Sequence, residues 1–378
     1  MNACISKEDT SLIPELTSTN SNTRSLDEAN KIASSDFWQI LGNSKSRING
    51  ESKKIKSNEV IVDKTTKDGK TTIDTLFYIF NYDKGFAVIA GDKRLSSYLG
   101  YAETGTLEKR NRDNTPGGLL IWIEDAKMMV KEFKKNDFKT PSIKNGRTTT
   151  SVFIDGVGPF INTTWDQVSG YNDLVTTNCT SGGSGGKAFT GCVATSMAQI
   201  MKYWGDKNGK PLGYSWSSMP PNYGTYETQK LMRDAGVAAD MNYGCSGSST
   251  TLTKARNALI NTFNFIQGDR VAYDNNWAYN TKVSLYDEHP VILEGCDGGD
   301  CHAWVCDGYQ NWKYPYGYYN HSRDQWVPIY YTIFSMNWGW GGSHNGWFSQ
   351  YYWGADENGN PMPYNFNSSI GGIYNLKI

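Results

Sequence analysis

The sequence predicts an α+β protein in two unequal parts, on three observations. Val193, Met197, Ile200, Met201 and Trp204 recur at helical spacing and mark a buried helix that starts at or just after Gly191. Farther on, residues 290–293, 302–306 and 329–337 are short apolar and aromatic runs separated by Gly and Asp, which is the pattern of strands. A central helix followed by antiparallel strands is an α+β arrangement. The third observation is a change of composition near residue 148. Only 2 of the 13 Trp and 4 of the 24 Tyr precede it, so the dense core belongs to the second part.

With 378 residues the chain has room for two to three domains of about 150 residues each, and needs neither disulfides nor metals to build a core. Lys and Arg number 37 against 38 Asp and Glu, a net charge of -1, so no nucleic-acid partner is expected. The two parts differ in sign. Residues 1–147 hold 24 basic and 20 acidic side chains, whereas residues 148–378 hold 13 and 18. Abundant Tyr, Trp and Gly exclude global disorder. No run approaches the ~20 apolar residues that cross a bilayer.

Taken in order, residues 1–25 read as a flexible tail. Met1-Asn-Ala-Cys4 and the Ser/Thr/Asn-rich stretch up to Thr23 have the pattern of a bacterial lipoprotein after loss of its signal, with a lipid anchor on Cys4; an incidental Cys behind an initiating Met fits the same residues. Residues 26–147 form a first domain. Within it, 72–80 and 85–90 read as a hairpin around a turn at 81–84, because both runs are rich in β-branched and aromatic residues. Residues 117–135 follow as a helix with Leu120, Ile123, Met128 and Phe133 as its apolar stripe. The charged, Thr-rich stretch 134–150, with Pro141, Gly146 and Arg147, reads as an exposed linker open to proteases. Residues 148–378 form the second domain. Its segment Ser181-Gly-Gly-Ser-Gly-Gly-Lys187 imitates a phosphate loop, but Ser181 stands where the first Gly is needed and Ala188 where Ser or Thr must follow the Lys.

Seven Cys leave at least one thiol free whichever bridges form. Pairs such as Cys296–Cys301 or Cys179–Cys245 are available, and the sequence does not choose among them. Cys192 falls in the first turn of the predicted helix, where unpaired amide N–H groups and the dipole favour a thiolate. A base is then required. His289, His321 and His344 lie in charged, polar or Gly/Ser/Asn surroundings without an ordered frame. His302 instead begins a predicted strand, which can hold an imidazole in one orientation. A third group must orient that ring, and Asn337, at the end of a Tyr/Ile/Phe-rich strand, is placed to do so. Trp338 follows it and can shield an Asn–His hydrogen bond from water. The N–H of Cys192 and the side-chain amide of Gln167 are the candidate donors to an oxyanion.

These residues lie in five pieces: Trp165-Asp-Gln-Val-Ser-Gly-Tyr-Asn172, Thr190-Gly-Cys-Val-Ala-Thr-Ser-Met-Ala-Gln-Ile-Met-Lys-Tyr203, Asp240-Met-Asn-Tyr-Gly-Cys-Ser-Gly-Ser248, His302-Ala-Trp-Val-Cys-Asp-Gly308 and Asn337-Trp-Gly-Trp-Gly-Gly342. Through them the second part resembles the streptopain family of bacterial cysteine peptidases along nearly its whole length. The first part resembles that family's propeptide, through Gly85-Phe-Ala-Val-Ile-Ala-Gly-Asp-Lys-Arg94 and Leu99-Gly-Tyr-Ala-Glu-Thr-Gly105. The resemblance implies a papain-like two-lobed cysteine peptidase, with a central helix and an antiparallel sheet, preceded by a separate α+β propeptide domain. It implies a secreted or lipid-anchored bacterial endopeptidase made as an inactive precursor, with protein and peptide substrates and its own propeptide as intramolecular inhibitor. The nucleophile falls on Cys192, the general base on His302, the oxyanion-hole glutamine on Gln167, and the ring-orienting pair on Asn337 and Trp338. A cleft-lining loop falls on Met241, Tyr243, Gly244, Ser246, Gly247 and Ser248. No metal or organic cofactor is implied. Activation is expected by cleavage within 139–150, with Arg147 the favoured site. Two departures stand out: Cys245, in a loop where the family needs no thiol, and the Tyr/Trp-rich stretch 309–331, where the family makes a short hairpin.

Two rival readings compete. Cys296, Cys301, His302 and Cys306 are four metal-capable residues in eleven positions, which invites a zinc site. On a strand, however, His302 and Cys306 have Cα atoms ~13 Å apart and Cys301 points the other way, so one ion cannot collect all three. A non-catalytic surface binding module would suit the Tyr- and Trp-rich segments, yet leaves the propeptide-like part unexplained.

Overall fold

The structure is a computed structural model that describes residues 22–34, 54–108, 114–135, 152–274, 276–297, 300–320, 325–355, 361–363 and 370–378. Cys4, His321 and the linker with its expected cleavage site at Arg147 lie outside the described residues.

The first part contains α1 (Leu26–Ser34), β1 (Ile55–Lys67), β2 (Lys70–Tyr82), β3 (Phe86–Ala90), β4 (Tyr98–Ala102) and α2 (Gly117–Lys135). A reciprocal cap starts α1: the Ser25 N–H donates to Glu28 Oε2 at 2.8 Å and the Glu28 N–H to Ser25 Oγ at 3.2 Å. The expected hairpin is β2–β3, antiparallel, with Phe80 opposite Ala87. The bounds of α2 match the sequence reading, but only Ile123 and Phe133 of its expected stripe are fully buried. Leu119, Trp122, Ile123, Ala126, Met129, Val130 and Phe133 are buried, whereas Met128 is 39% exposed and Leu120 only partly covered. At 100° per residue, Met128 lies on the far side from Trp122 and Ala126.

The second part runs β5 (Val152–Val157), α3 (Cys192–Asn208), α4 (Tyr226–Ala238), α5 (Leu252–Asn261), β6 (Gln267–Val271), α6 (Trp277–Tyr286), β7 (Val291–Asp297), β8 (Asp300–Asn320), β9 (Gln325–Asn337), β10 (Gly346–Ala355), β11 (Pro361–Pro363) and β12 (Gly371–Lys377). The Tyr/Trp-rich stretch is the outer half of the β8–β9 hairpin, paired as far as Asn320 opposite Gln325. Strands of both parts make one sheet in the order β1-β2-β3-β4-β10-β9-β8-β7-β12-β6, with β5 on β8 and β11 on β10. The seam is β4 against β10, with Gly100 opposite Phe348 and Ala102 opposite Gly346. The first part therefore keeps its own helices and strands while hydrogen-bonding edge to edge with the second.

Strand alternation builds two cores on the two faces of the central strands. Ile292, Ala303, Val305 and Ile373 face α3, α4 and α5, in a core with Met197, Ile200, Met201 and Leu231. Val291, Leu293, Trp304 and Cys306 face the other way, toward Leu119, Trp122 and the strands of the first part. The parity of β8 thus decides the site: His302 shares its face with Trp304, and its neighbour Ala303 turns toward α3.

Among the described residues there are two disulfides, Cys179–Cys245 and Cys296–Cys301, which leave Cys192 and Cys306 free. The second joins two of the four residues weighed as zinc ligands. Cys179 and Cys245 are 66 residues apart and Cys296 and Cys301 only 5. If closing a loop restricts the unfolded chain, the Cys179→Ser/Cys245→Ser variant should lose about 4 kcal/mol and the Cys296→Ser/Cys301→Ser variant about 2 kcal/mol. Urea unfolding midpoints compare them. Equal losses would mean that loop length is not what sets the stabilisation.

Candidate active site

Cys192 is the first residue of α3, behind Gly191 at φ 89°. A left-handed backbone there suits glycine, and the space is closed as well: a Cβ on Gly191 would stand 3.0 Å from Met241 Sδ and 3.2 Å from Ser248 Cβ. The loop around 241–249 is thereby seated against the residue before the thiol. Ser248 Oγ donates to the Phe189 carbonyl at 2.7 Å, the Gly244 N–H donates to Ser248 Oγ at 3.2 Å, and the Gly183 N–H donates to the Cys245 carbonyl at 2.6 Å. Of the residues expected to line the cleft, Ser246 and Gly247 are exposed and Met241 is buried. Tyr243 turns its hydroxyl inward toward Gly236 of α4.

Across from the helix, β8 brings His302 to Cys192, and the two side chains hydrogen-bond. The Ala303 N–H also donates to Cys192 Sγ at 3.4 Å. Burial pushes the Cys192 thiol up, but the charge and hydrogen bond of His302, with the N–H groups of Ala303 and Val193, outweigh it and hold the thiol below its ordinary range. Burial pulls His302 down, and the Cys192 charge and hydrogen bond, with the Trp338 carbonyl, more than reverse this. Each group thus favours the charged form of the other. Trp304 lies nearly parallel to the His302 ring, at 12° and 6.5 Å between centroids, and Trp338 packs on Trp304 at 5.5 Å. Trp304 went unremarked in the sequence, although two residues along a strand share a face.

The ring's second nitrogen, His302 Nε2, is 3.0 Å from the main-chain carbonyl of Trp338. Asn337, expected to orient the ring with its side chain, points that side chain elsewhere. Its Nδ2 donates to the Thr163 carbonyl at 2.7 Å and to Gln199 Oε1 at 3.0 Å, and its Oδ1 accepts the Gly339 N–H at 3.2 Å. The Asn-Trp pair lies at the ring, but a carbonyl of the following residue makes the contact. Strand β9 ends at Asn337, and the chain's next peptide is the one aimed at His302. Gln167 reaches the same turn: its Nε2 donates to the Gly339 carbonyl at 3.4 Å, and its own carbonyl accepts the Thr190 N–H at 3.0 Å.

Residues 165–348 match the Peptidase C10 family, and residues 18–130 match the Spi protease inhibitor. The chain carries a Peptidase C10 domain behind a Spi inhibitor domain. It is the zymogen of a cysteine peptidase. The thiol protease/hemagglutinin PrtT of Porphyromonas gingivalis is 28% identical over 318 residues, which are 73% of this chain and 34% of PrtT. This chain therefore spans about a third of that protein. Streptopain of Streptococcus pyogenes serotype M1 is 26% identical over 344 residues, covering 77% of this chain and 78% of streptopain. A solved fragment of Prevotella intermedia prointerpain A, a Cys-to-Ala mutant, has the same fold: its TM-score is 0.54 at 24% identity, over 85% of this chain and 99% of that one.

The Spi inhibitor domain meets the Peptidase C10 domain at the site itself. Gly117 and Gly118 open α2 against the His302 face of β8. A Cβ on Gly117 would stand 3.2 Å from His302 Cβ, and one on Gly118 would stand 2.7 Å from Trp338 and 2.8 Å from Trp304. Trp122 anchors the same helix, donating from Nε1 to the Ser349 carbonyl at 3.2 Å and meeting Phe348 edge-on at 4.9 Å. His344, set aside in the sequence for want of a frame, has one that the inhibitor domain supplies. It is 3% exposed, its Nε2 lies 2.9 Å from the Thr106 carbonyl, and its N–H donates to Thr104 Oγ1 at 3.2 Å. Burial lowers its pKa, so it stays neutral inside this contact. His289 instead packs on Trp204, far along α3 from Cys192, and His321 lies outside the described residues.

Proposed function

We propose that this chain is the precursor of a secreted endopeptidase that cleaves peptide bonds through Cys192 and His302. The observation that carries the reading is the Cys192–His302 pair, with the thiol at a helix start and the ring held from behind by the Trp338 carbonyl. The thiolate adds to the peptide carbonyl, and the oxyanion is met by the Cys192 N–H and the Gln167 amide. The imidazolium gives its proton to the leaving amine, and water then hydrolyses the thioester. Loop 241–249 contributes to the substrate cleft, a reading its seat against Gly191 supports. Removal of residues up to the linker, by cleavage within 139–150, uncovers the site. The domain limits that follow are 1–25 for the tail, 26–147 for the propeptide and 148–378 for the peptidase.

The test is labelling with a thiol-directed peptide epoxide, followed by mapping of the modified residue. Cys192 should be the residue labelled, and hydrolysis should follow a bell-shaped pH profile. Its acid limb should lie below the ordinary thiol range near 8.5, because the Cys192 thiolate is lost only as pH falls through a lowered pKa. Its alkaline limb should lie above the ordinary histidine value of about 6.5, where His302 gives up its proton. Label on Cys306, or an acid limb at the ordinary thiol value, would overturn the assignment.

A further inference from the structure

The two carbonyls that hold the site's side chains are consecutive. Trp338 O faces His302 Nε2 at 3.0 Å, and Gly339 O accepts from Gln167 Nε2 at 3.4 Å. One short turn therefore orients both the base and the oxyanion donor. What fixes that turn is the side chain of Asn337, and what fixes Asn337 is a residue of α3. Gln199, fully buried two turns after Cys192, accepts at Oε1 from Asn337 Nδ2 at 3.0 Å and from Thr163 Oγ1 at 2.9 Å, while its Nε2 donates to Asn337 Oδ1 at 3.4 Å. Both polar ends of Gln199 are thus occupied on one partner, as two facing amides allow. The Thr163 carbonyl closes the ring by accepting from Asn337 Nδ2 at 2.7 Å.

We infer that Gln199 is a positioning residue, which ties the helix carrying Cys192 to the 337–339 turn and so sets His302 and Gln167 against the thiol from a distance. It touches neither thiol nor ring, and nothing about an Ala-Gln-Ile-Met run in a buried helix announces it. A buried amide network of this kind specifies one arrangement only when every member is satisfied. An apolar residue at 199 would strip Asn337 of its two bonds to α3, leaving it held only by the Thr163 carbonyl and the Gly339 N–H and the turn untied from the helix of Cys192. A buried glutamine that merely filled space would show no such link to the ring.

The inference rests on the reading proposed above, and the experiment separates the two. The full chain is prepared as wild type, Gln199→Leu, Gln199→Glu and Thr163→Val, and each is matured before kinetics. Gln199→Leu should lower kcat by a factor on the order of 10 to 100 with KM within about twofold, the loss associated with misplaced catalytic groups. Alkylation of Cys192 by iodoacetamide should move its acid limb toward the ordinary thiol range, because a loosened His302 no longer holds the thiolate. Gln199→Glu keeps the acceptor for Asn337 and Thr163 and should recover most of kcat. Thr163→Val, which keeps its volume and loses one hydroxyl, should fall between wild type and Gln199→Leu. A folded Gln199→Leu chain with wild-type kcat and an unmoved alkylation profile would overturn the inference. Should that chain not fold, wild-type kcat and a wild-type alkylation profile in Thr163→Val would overturn it equally. Failure of the epoxide to label Cys192 in the wild type would instead defeat the underlying function.

Discussion

Cys192→Ala is expected to abolish peptide hydrolysis, by a factor on the order of 10⁵ to 10⁶, as in other enzymes whose nucleophile and base act as one unit. His302→Ala should cost about as much, and the double variant little more, because each residue is useless without its partner. The loss should extend to maturation if the precursor cuts itself: after incubation, N-terminal mapping of the wild type should show new ends within 139–150, and the Cys192→Ala chain should stay whole. Identical processing of both, with no protease added, would rule out self-cleavage while leaving the assignment of the nucleophile intact. The fold should be untouched, since Cys192 is half-buried at a helix start and a methyl group fits its place.

Gly118→Leu should open the zymogen. The glycine approaches Trp338 and Trp304 so closely that a Cβ alone falls inside contact distance of two buried rings. Neither indole can yield, since Trp304 is stacked on His302 and Trp338 is wedged between Trp304 and Phe348. The start of α2 must therefore shift, at a cost of about 1–3 kcal/mol, which corresponds to a ~5- to 150-fold rise in exposure of the site. The rate of epoxide labelling at Cys192 in the uncleaved chain measures it. Met128→Ala, on the exposed side of the same helix, should leave that rate unchanged. If Gly118→Leu folds and labels no faster than wild type, the inhibitor domain excludes substrates by some contact other than the N-terminus of α2.

How the zymogen is closed was only half legible beforehand. Opposite net charges on the two parts and a propeptide-like first segment pointed to an intramolecular cover. Which helix end does the covering depends on Gly117 and Gly118, and glycines before a helical run read in a sequence as a start signal, not as a docking face. His344 is the same kind of case: a Gly/Ser/Asn turn gives no hint that Thr104 and Thr106, some 240 residues earlier in the chain, complete its surroundings.

What the amino-acid order determined by itself was local. Periodicity alone marks the start of α3 and both ends of α2 to within a residue, and the thiol's place in the first turn follows from Gly191 and the apolar spacing after it. Strand alternation is equally local, and it is enough to put His302 on an ordered element. Tertiary structure decided everything that joins elements far apart in the chain: the edge-to-edge seam of β4 with β10, the pairing of Cys179 with Cys245, and the use of the Trp338 carbonyl in place of the Asn337 side chain. The physical reason is that a side chain's type limits which bonds it can make but not which partner reaches it first. Asn337 could serve either a ring or a neighbouring amide, and the burial of Gln199 beside it settles the choice.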